Sequence, residues 1–122
     1  MTTTTPLNLM LSRGDVVLVL FPHSDLRTAK PRPALVVQAN DLGTDLPQVI
    51  VAMITSKAFR ANHPSRVPVE YGSPEGQKSG LLADSVVMTD NLATIGEIAI
   101  DRVIGKLQMK TIDKALKHTL GL

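Results

Sequence analysis

The chain has 122 residues, of which 43% are hydrophobic and 20% charged, a composition typical of one folded domain rather than of a disordered segment. Its 13 Lys and Arg against 11 Asp and Glu give a formal charge of +2, which permits a nucleic-acid partner without requiring one. The absence of cysteine excludes disulfide scaffolds, thiolate zinc sites and cysteine nucleophiles, and it favours the cytoplasm as the compartment. No apolar run approaches the roughly 20 residues of a membrane-spanning helix, so no membrane partner is expected.

Four apolar segments in the first part of the chain predict β-strands separated by polar loops. The unbroken, β-branched run from Val16 to Phe21 is typical of a buried strand, and Pro22 ends it. The segments from Pro33 to Gln38 and from Val49 to Thr55 repeat this pattern. Alternating apolar and polar residues from Arg66 to Glu70 predict a shorter strand that is half exposed.

Glycine-rich and apolar segments follow one another in the second half. The stretch from Gly72 to Gly80 holds three Gly, one Pro and two Ser, which predicts a loop. A fifth strand is predicted from Leu82 to Thr89, and a last short strand from Val103 to Leu107. Between them, one interpretation of Asn91 to Ile95 is a helical turn.

The chain ends with the pattern of an amphipathic helix. Apolar and small residues recur at helical spacing, and Gly121 follows them as a stop signal; they are Ile112, Ala115, Leu116, Thr119 and Leu120. Five or six short strands with almost no connecting helices indicate a mainly β fold, a small and strongly bent antiparallel barrel or sandwich with one C-terminal α-helix packed on it. We expect residues 1–12 to be a loose N-terminal tail and residues 13–122 to be the domain.

Several chemistries are excluded by missing motifs. The three histidines are scattered without a carboxylate at ligand spacing, so no metal site and no cofactor are predicted; they are His23, His63 and His118. The chain has neither a phosphate-binding glycine loop nor a Gly-x-Ser-x-Gly elbow, which excludes nucleotide and serine hydrolases of those kinds. Its three aromatic residues are too few for a platform on which successive RNA bases stack.

Two polar residues at strand ends remain as candidates. Arg32 lies between Pro31 and Pro33, whose rings restrict the local backbone. Thr55 ends an apolar strand and is followed by Ser56 and another polar residue. Taken singly, Arg32 is consistent with a solvated surface charge, and Thr55 with a turn whose hydroxyl satisfies backbone groups.

Four segments in order resemble the MazF/PemK toxin family, with a Gly-Asp-Val opening strand, an Arg-Pro, a Thr-Ser and an Asp-Ser-Val-Val. They are Arg13-Gly14-Asp15-Val16, Lys30-Pro31-Arg32-Pro33, Ile54-Thr55-Ser56 and Ala83-Asp84-Ser85-Val86-Val87. The stretch Phe21-Pro22-His23-Ser24-Asp25-Leu26 is similar to the Phe-Pro-Phe-Ser-Asp-Leu of PemK-like members, and residues 112–122 are similar to the family's last helix. The resemblance covers most of the chain, from Arg13 onward.

The resemblance implies an SH3-like antiparallel β-barrel that forms a homodimer and acts as an endoribonuclease toxin of a type II toxin–antitoxin system in the bacterial cytoplasm. It implies sequence-specific, metal-independent cleavage of single-stranded mRNA and silencing by a cognate antitoxin protein. The family's paired catalytic positions fall on Arg32 and Thr55. Ile98 and Ile100 are candidates for the dimer interface, although the sequence does not separate them from core residues.

The chemistry gives each candidate a role. RNA carries its own nucleophile in the 2′-hydroxyl, so the protein has to supply proton transfer and charge stabilisation at phosphorus. Arg32 suits the role of stabilising the charge that develops at phosphorus. Thr55 suits a hydrogen bond to the phosphate, because a hydroxyl of ordinary pKa cannot act as a base without help. His23 and Asp84 are competing candidates for the base. The expected further RNA contacts are Ser24, Ser56, Lys57 and Ser85.

Two other functions are compatible with such a fold. One is a catalytically silent barrel that binds RNA or a peptide, and the other is a gyrase-directed toxin of the CcdB kind. The presence of both Arg32 and Thr55 favours the ribonuclease, because neither alternative needs the pair. The segment from Asp25 to Pro31 is stiffer and more basic than the Gly-rich stretch common in the family, so the family's RNA sequence preference does not transfer.

Overall fold

The computed structural model describes residues 11–21 and 30–122. Six antiparallel strands form one sheet in the order β4-β5-β3-β2-β1-β6. The strands are β1 (Asp15–Phe21), β2 (Lys30–Val36), β3 (Gln48–Thr55), β4 (Arg66–Val69), β5 (Ser85–Gly96) and β6 (Ile100–Lys106). The α-helices are α1 (Pro74–Ser79) and α2 (Lys110–Leu120), and short 3-10 turns occupy Ala58–Ala61 and Glu97–Ala99. The mainly β fold with a C-terminal helix is therefore confirmed.

The central strands pack into an apolar cluster on each face, which explains why β1 and β3 contain unbroken apolar runs. Side chains alternate across a strand, so Val16 belongs to one apolar cluster and its neighbour Val17 to another. The first, which we call the helix-side cluster, includes Ile112 and Leu116 of α2. Each fully buried Val or Leu of these clusters contributes roughly 1.5–3 kcal/mol to folding.

The sheet is bent so that its two edge strands approach the same helix. Helix α1 follows β4, and its C-terminal end lies against β6 at the other edge. A Cβ atom on Gly105 would collide with the backbone of Ser79, and Gly80 ends the helix in the left-handed region with φ of 75°. The close backbone contact of α1 with β6 gives the domain its barrel-like shape.

The predicted loop from Gly72 to Gly80 is wrong, because helix α1 lies within it. Ser73 is the N-cap, its hydroxyl accepting a hydrogen bond from the Gly76 amide at 3.0 Å, and Pro74 occupies the first helical position. The serine, proline and glycine that indicated a loop are the residues that begin and end a short helix.

The helical turn considered for Asn91 to Ile95 is also wrong. Strand β5 starts at Ser85, later than the predicted Leu82, and continues to Gly96, where Ala93 pairs with Val51 and Ile95 with Val49. The pairing shifts from Leu92 opposite Ala52 to Met88 opposite Met53, so a bulge interrupts the ladder. The continuation of β5 depends on its pairing with β3, which the local composition does not reveal.

The last strand runs from Ile100 to Lys106, three residues earlier at its start than the predicted Val103 to Leu107. Ile100 is buried in the core and Ile98 is 97% exposed, so only Ile98 is on the surface of the protomer. Within the two described ranges, no helix combines the length and apolar character needed to cross a bilayer.

Candidate active site

The described structure has a groove of about 730 Å³ beside the helix-side cluster. Its lining includes the apolar residues Ile54, Leu81 and Ile104 of that cluster, together with Leu18. We refer to this cavity as the groove. An apolar floor keeps the polar groups at the rim in a partly desolvated setting, where their electrostatic effects are larger than in bulk water.

The rim of the groove is cationic. Among the described lining residues there are four cations and no aspartate or glutamate, and the cations are Arg32, Lys57, Arg60 and Arg102. A concentration of one sign of charge on low-dielectric walls attracts ligands of the opposite sign. The rim therefore suits a polyanion such as a nucleic acid.

Arg32 lies where strand β2 separates from β3. Pairing of β2 with β3 ends at Ala34 opposite Met53, whereas pairing with β1 continues to Lys30. Pro31 and Pro33 have no amide hydrogen, and positions two residues apart in a strand face the same neighbour. The Val37 amide donates to the Ile50 carbonyl of β3 at 3.1 Å, so both missing donors are on the β3 side. The two prolines thus leave Arg32 exposed at the mouth of the groove.

Thr55 is at the corresponding position of β3. Extending the register of Ala34 and Met53 by two residues makes Arg32 and Thr55 opposite positions, and both line the groove. The Thr55 Oγ1 accepts a hydrogen bond from the Lys57 amide at 3.1 Å. This bond uses one lone pair of the hydroxyl oxygen and leaves the hydroxyl proton free for donation to a ligand. The geometry is therefore compatible both with a role of Thr55 in the turn and with a role in ligand binding.

The other predicted site residues differ in where they lie. Ser56 and Lys57 are exposed at the rim of the groove. Ser85 also lines it but is buried, and its hydroxyl donates to the Ala83 carbonyl at 2.8 Å, which leaves it only acceptor capacity. His23 and Ser24 lie outside the described residues.

Asp84 is exposed beside the groove rather than among its described lining residues. Its Oδ1 accepts a hydrogen bond from the Tyr71 amide at 2.8 Å. A carboxylate has two oxygens, so this contact orients Asp84 and leaves Oδ2 available to accept a proton. Within the described ranges, no three His, Asp or Glu side chains are grouped so that they could hold a metal ion.

Arg102 is a groove residue that the sequence analysis missed. It pairs with Leu18, which pairs in turn with Pro33, so one row of residues crosses β6, β1 and β2 along the groove. Arg102 also forms an exposed ion pair with Asp101 at 2.9 Å, a contact too accessible to hold it firmly. No local motif marks Arg102, because only the pairing of β6 with β1 brings it to the site.

Arg60 was missed as well, and it is held by contacts through its backbone. Its amide donates to the Lys57 carbonyl at 3.0 Å, and its carbonyl accepts from Arg66 Nη1 at 3.3 Å. Arg66 is itself fixed by an ion pair with Asp90 at 2.8 Å. The hydrogen bond from Arg66 lowers the pKa of Asp90 and raises that of Arg66, which keeps both charged near neutral pH.

Residues 12–120 match the family of PemK-like, MazF-like toxins of type II toxin–antitoxin systems, and the chain belongs to that family. The resemblance inferred from the four sequence segments is therefore confirmed. Since the match spans nearly the whole chain, it includes every strand, both helices and the groove.

Solved structures support the same fold. An endoribonuclease from mycobacterial species is 25% identical with a TM-score of 0.67, and the alignment covers 92% of each chain. The Mycobacterium tuberculosis toxin MazF-mt6 is 25% identical with a TM-score of 0.69, covering 88% of this chain and 97% of that one. An endoribonuclease solved in complex with its cognate antitoxin, also mycobacterial, is 23% identical with a TM-score of 0.70, covering 92% and 96%.

Proposed function

We propose that this protein is an endoribonuclease toxin that cleaves single-stranded RNA in the groove, without a metal ion and at specific sequences. The observation that carries the proposal is the position of Arg32 and Thr55, opposite each other where β2 and β3 separate, on a cationic rim. Membership of the toxin family and the similarity to a mycobacterial endoribonuclease support it.

The proposed reaction uses the substrate's own nucleophile. A base removes the proton of the 2′-hydroxyl, the 2′-oxygen forms a bond to phosphorus, and the bond from phosphorus to the 5′-oxygen of the next nucleotide breaks. That 5′-oxygen then takes up a proton. The products are a 2′,3′-cyclic phosphate and a 5′-hydroxyl, and no external oxidant, metal or water is needed for the cleavage step.

Arg32 stabilises the transition state in this scheme. Negative charge accumulates on the non-bridging oxygens as phosphorus becomes pentacoordinate, and a guanidinium fork presents two donors to such oxygens. Thr55 donates its hydroxyl proton to the same phosphate or to the 2′-oxygen, in keeping with the Lys57 amide occupying one of its lone pairs. Arginine is a poor proton carrier because its guanidinium stays protonated near neutral pH, so the acid and base are other groups.

Two residues of suitable chemistry are proposed as alternatives for the base. Histidine is the side chain whose ordinary charge change falls near neutral pH, and His23 belongs to the segment that resembles PemK-like members. Asp84 has one carboxylate oxygen held by the Tyr71 amide and the other available. The variants His23→Gln and Asp84→Asn distinguish them, since loss of the base removes the acidic limb of the pH–rate profile.

The remaining proposed contacts bind the RNA strand. Lys57 supplies charge, whereas Ser24, Ser56 and Ser85 supply hydrogen bonds to phosphate or sugar. Ser85 acts as an acceptor, because its proton is donated to the Ala83 carbonyl. An acceptor in this position suits a 2′-hydroxyl, the group that separates RNA from DNA.

The family supplies the proposed partners. A toxin of a type II system has a cognate antitoxin, and we propose that a disordered antitoxin segment folds against the groove and excludes RNA. We also propose that the protein is a homodimer, with the exposed Ile98 at or near the interface. Cleavage of mRNA would place the toxin in the bacterial cytoplasm.

The test is cleavage of a long, unstructured RNA by purified protein in excess EDTA, with fragment ends mapped. We expect cuts at a short recurring sequence that survive EDTA and disappear in Arg32→Ala and Thr55→Ala. The exposed Lys117 of α2 offers a control, since Lys117→Ala removes a cation outside the groove and is expected to cleave normally. No cleavage by folded wild type on several RNAs would favour the silent barrel or the gyrase-directed toxin instead.

A further inference from the structure

Phe59 is an aromatic ring displayed on the surface next to the groove. It lies in the 3-10 turn Ala58–Ala61, four residues after Thr55, and is 79% exposed. Burying a phenyl ring ordinarily stabilises a protein, so a ring left this exposed has surface available for a ligand. Tyr71, another aromatic residue, is 47% exposed.

Arg60 connects this ring to the groove. Its guanidinium carbon is 5.9 Å from the centre of the Phe59 ring, while the same side chain lines the groove and approaches Met88 Sδ at 3.9 Å. The guanidinium lies over the ring, which is still 79% exposed, so the pair offers a nucleotide two complementary surfaces, an accessible π-surface for the base and a positive charge for the phosphate.

The turn that displays the ring is held in place before any ligand binds. The Lys57 carbonyl accepts from the Arg60 amide, and Arg66 donates to the Arg60 carbonyl while paired with Asp90. These contacts tie the turn to strands β4 and β5. Ordering the turn on binding therefore costs less conformational entropy than ordering a free loop.

We propose that Phe59 and Arg60 form a stacking site for a nucleobase of the substrate RNA, at a nucleotide that flanks the scissile phosphate. The inference rests on the proposed ribonuclease function and adds a specificity-determining position to it. The proposed occupant is RNA, a polyanion that matches the four cations and the absence of carboxylates among the described lining residues of the groove beside the ring. The site holds one base and is not the extended aromatic platform that the composition excludes.

The first test separates stacking from apolar contact in steady-state cleavage of one RNA. Stacking on a single aromatic ring predicts that Phe59→Ala and Phe59→Leu lower kcat/KM about tenfold, mainly through KM, whereas Phe59→Tyr retains it. Thermal unfolding is expected to be unchanged in all three, because the side chain is 79% exposed. Equal kcat/KM in wild type and Phe59→Ala, with wild type active, would overturn the stacking site and leave the ribonuclease intact.

The second test exploits the absence of tryptophan from the chain. Phe59→Trp places the only tryptophan of the chain at the proposed site, and a stacked base is expected to quench tryptophan fluorescence when an RNA with a 2′-deoxy sugar at the cleavage position is added. Leu122→Trp provides the matched control, since Leu122 is 87% exposed and does not line the groove. Quenching at position 59 alone supports the proposal, and no quenching at 59 despite RNA binding overturns it.

An antitoxin is the competing occupant of this surface. If Phe59→Ala weakens antitoxin binding and leaves kcat/KM for RNA unchanged, the ring serves the antitoxin and the proposal fails. If the wild-type protein cuts no RNA at all, the ribonuclease function fails first. That outcome is distinguishable because it does not depend on any Phe59 variant.

Discussion

The rim of the groove and the contact between α2 and strands β4 and β5 use similar polar residues in opposite ways. At the α2 contact, Thr89 is fully buried and donates to the Ser65 carbonyl at 2.6 Å, and Thr119 donates to the Ser65 hydroxyl at 2.7 Å. We call these three residues the hydroxyl cluster. Each polar group there has a partner in the same chain, so the cluster stabilises the fold.

At the groove, four cations are gathered without a carboxylate among the described lining residues. Like charges that face one rim repel each other, so the arrangement costs folding free energy rather than supplying it. The comparison teaches which polar residues serve structure and which serve a ligand. It predicts that substitutions at the two regions separate activity from stability.

The largest expected effect is on activity, at Arg32. Removing one preorganised transition-state stabiliser costs roughly 100- to 1,000-fold in kcat, so we expect a loss of this size in Arg32→Ala with no decrease in the unfolding temperature. Arg32→Lys keeps the charge but loses the guanidinium fork and is expected to recover only part of the rate. Circular dichroism melts and cleavage kinetics of the same variants test this. A decrease in unfolding temperature as marked as the loss of activity would contradict the distinction between the groove and the hydroxyl cluster.

The hydroxyl cluster should respond in the opposite way. Thr89→Val preserves shape but removes the hydroxyl that donates to Ser65, and we expect a loss of about 1–3 kcal/mol in the free energy of unfolding. Specific activity of the folded fraction should be unchanged, because Thr89 does not line the groove. Urea titration measures the stability, and a large activity loss without destabilisation would contradict the structural role.

The rim cations should appear in the salt dependence of RNA binding. Each phosphate contact removed lowers the slope of log affinity against log salt by roughly 0.7 for a single strand. We therefore expect Arg60→Gln and Arg102→Gln each to reduce the slope by that amount, and Lys114→Gln on the exposed side of α2 to leave it unchanged. Binding to an uncleavable RNA at several salt concentrations gives the slopes; identical slopes in all variants would remove these arginines from the interface.

The smallest expected effect concerns the pair that anchors the Arg60 turn. The pKa of Asp90 is lowered by Arg66, so its contribution to stability is present above the unfolded-state pKa of about 3.9 and is lost as pH falls through the lower folded value. The stability difference between wild type and Asp90→Asn should therefore exist at pH 7 and disappear in acid. Thermal melts at pH 7 and at a pH below the lowered pKa of Asp90 test this, and a difference independent of pH would contradict it.

Much of the fold could be predicted because burial leaves a strong pattern in the sequence. The runs from Val16 and Val49 are apolar on both faces of their strands, and α2 has a clear amphipathic period. Helix α1 could not be recognised in the same way, since its six residues bury only Gly76 and Ser79 and show no apolar period. The bulge in β5 likewise depends on pairing with β3 rather than on local composition.

The part of the site that could be predicted from the sequence consists of residues that belong to local motifs. The prolines around Arg32 and the end of an apolar run at Thr55 are visible in the sequence, and the two positions lie opposite each other by register. Arg60 and Arg102 carry no such mark, because strand order alone brings them to the rim. Local sequence thus indicates which residues can do chemistry, whereas topology decides which of them meet.

The central claim is that the groove cleaves RNA with the substrate's own hydroxyl. Its most direct test removes a single oxygen atom from the substrate. Once the cleavage position is mapped, an RNA with a 2′-deoxy sugar on the 5′ side of the scissile phosphate is compared with the all-ribose strand. We predict that the modified strand binds, is not cut, and competes with cleavage of the normal strand. The 5′ product of the normal strand is predicted to end in a 2′,3′-cyclic phosphate. Cleavage of the deoxy-substituted strand at the same position would contradict the account, because the nucleophile would then come from elsewhere.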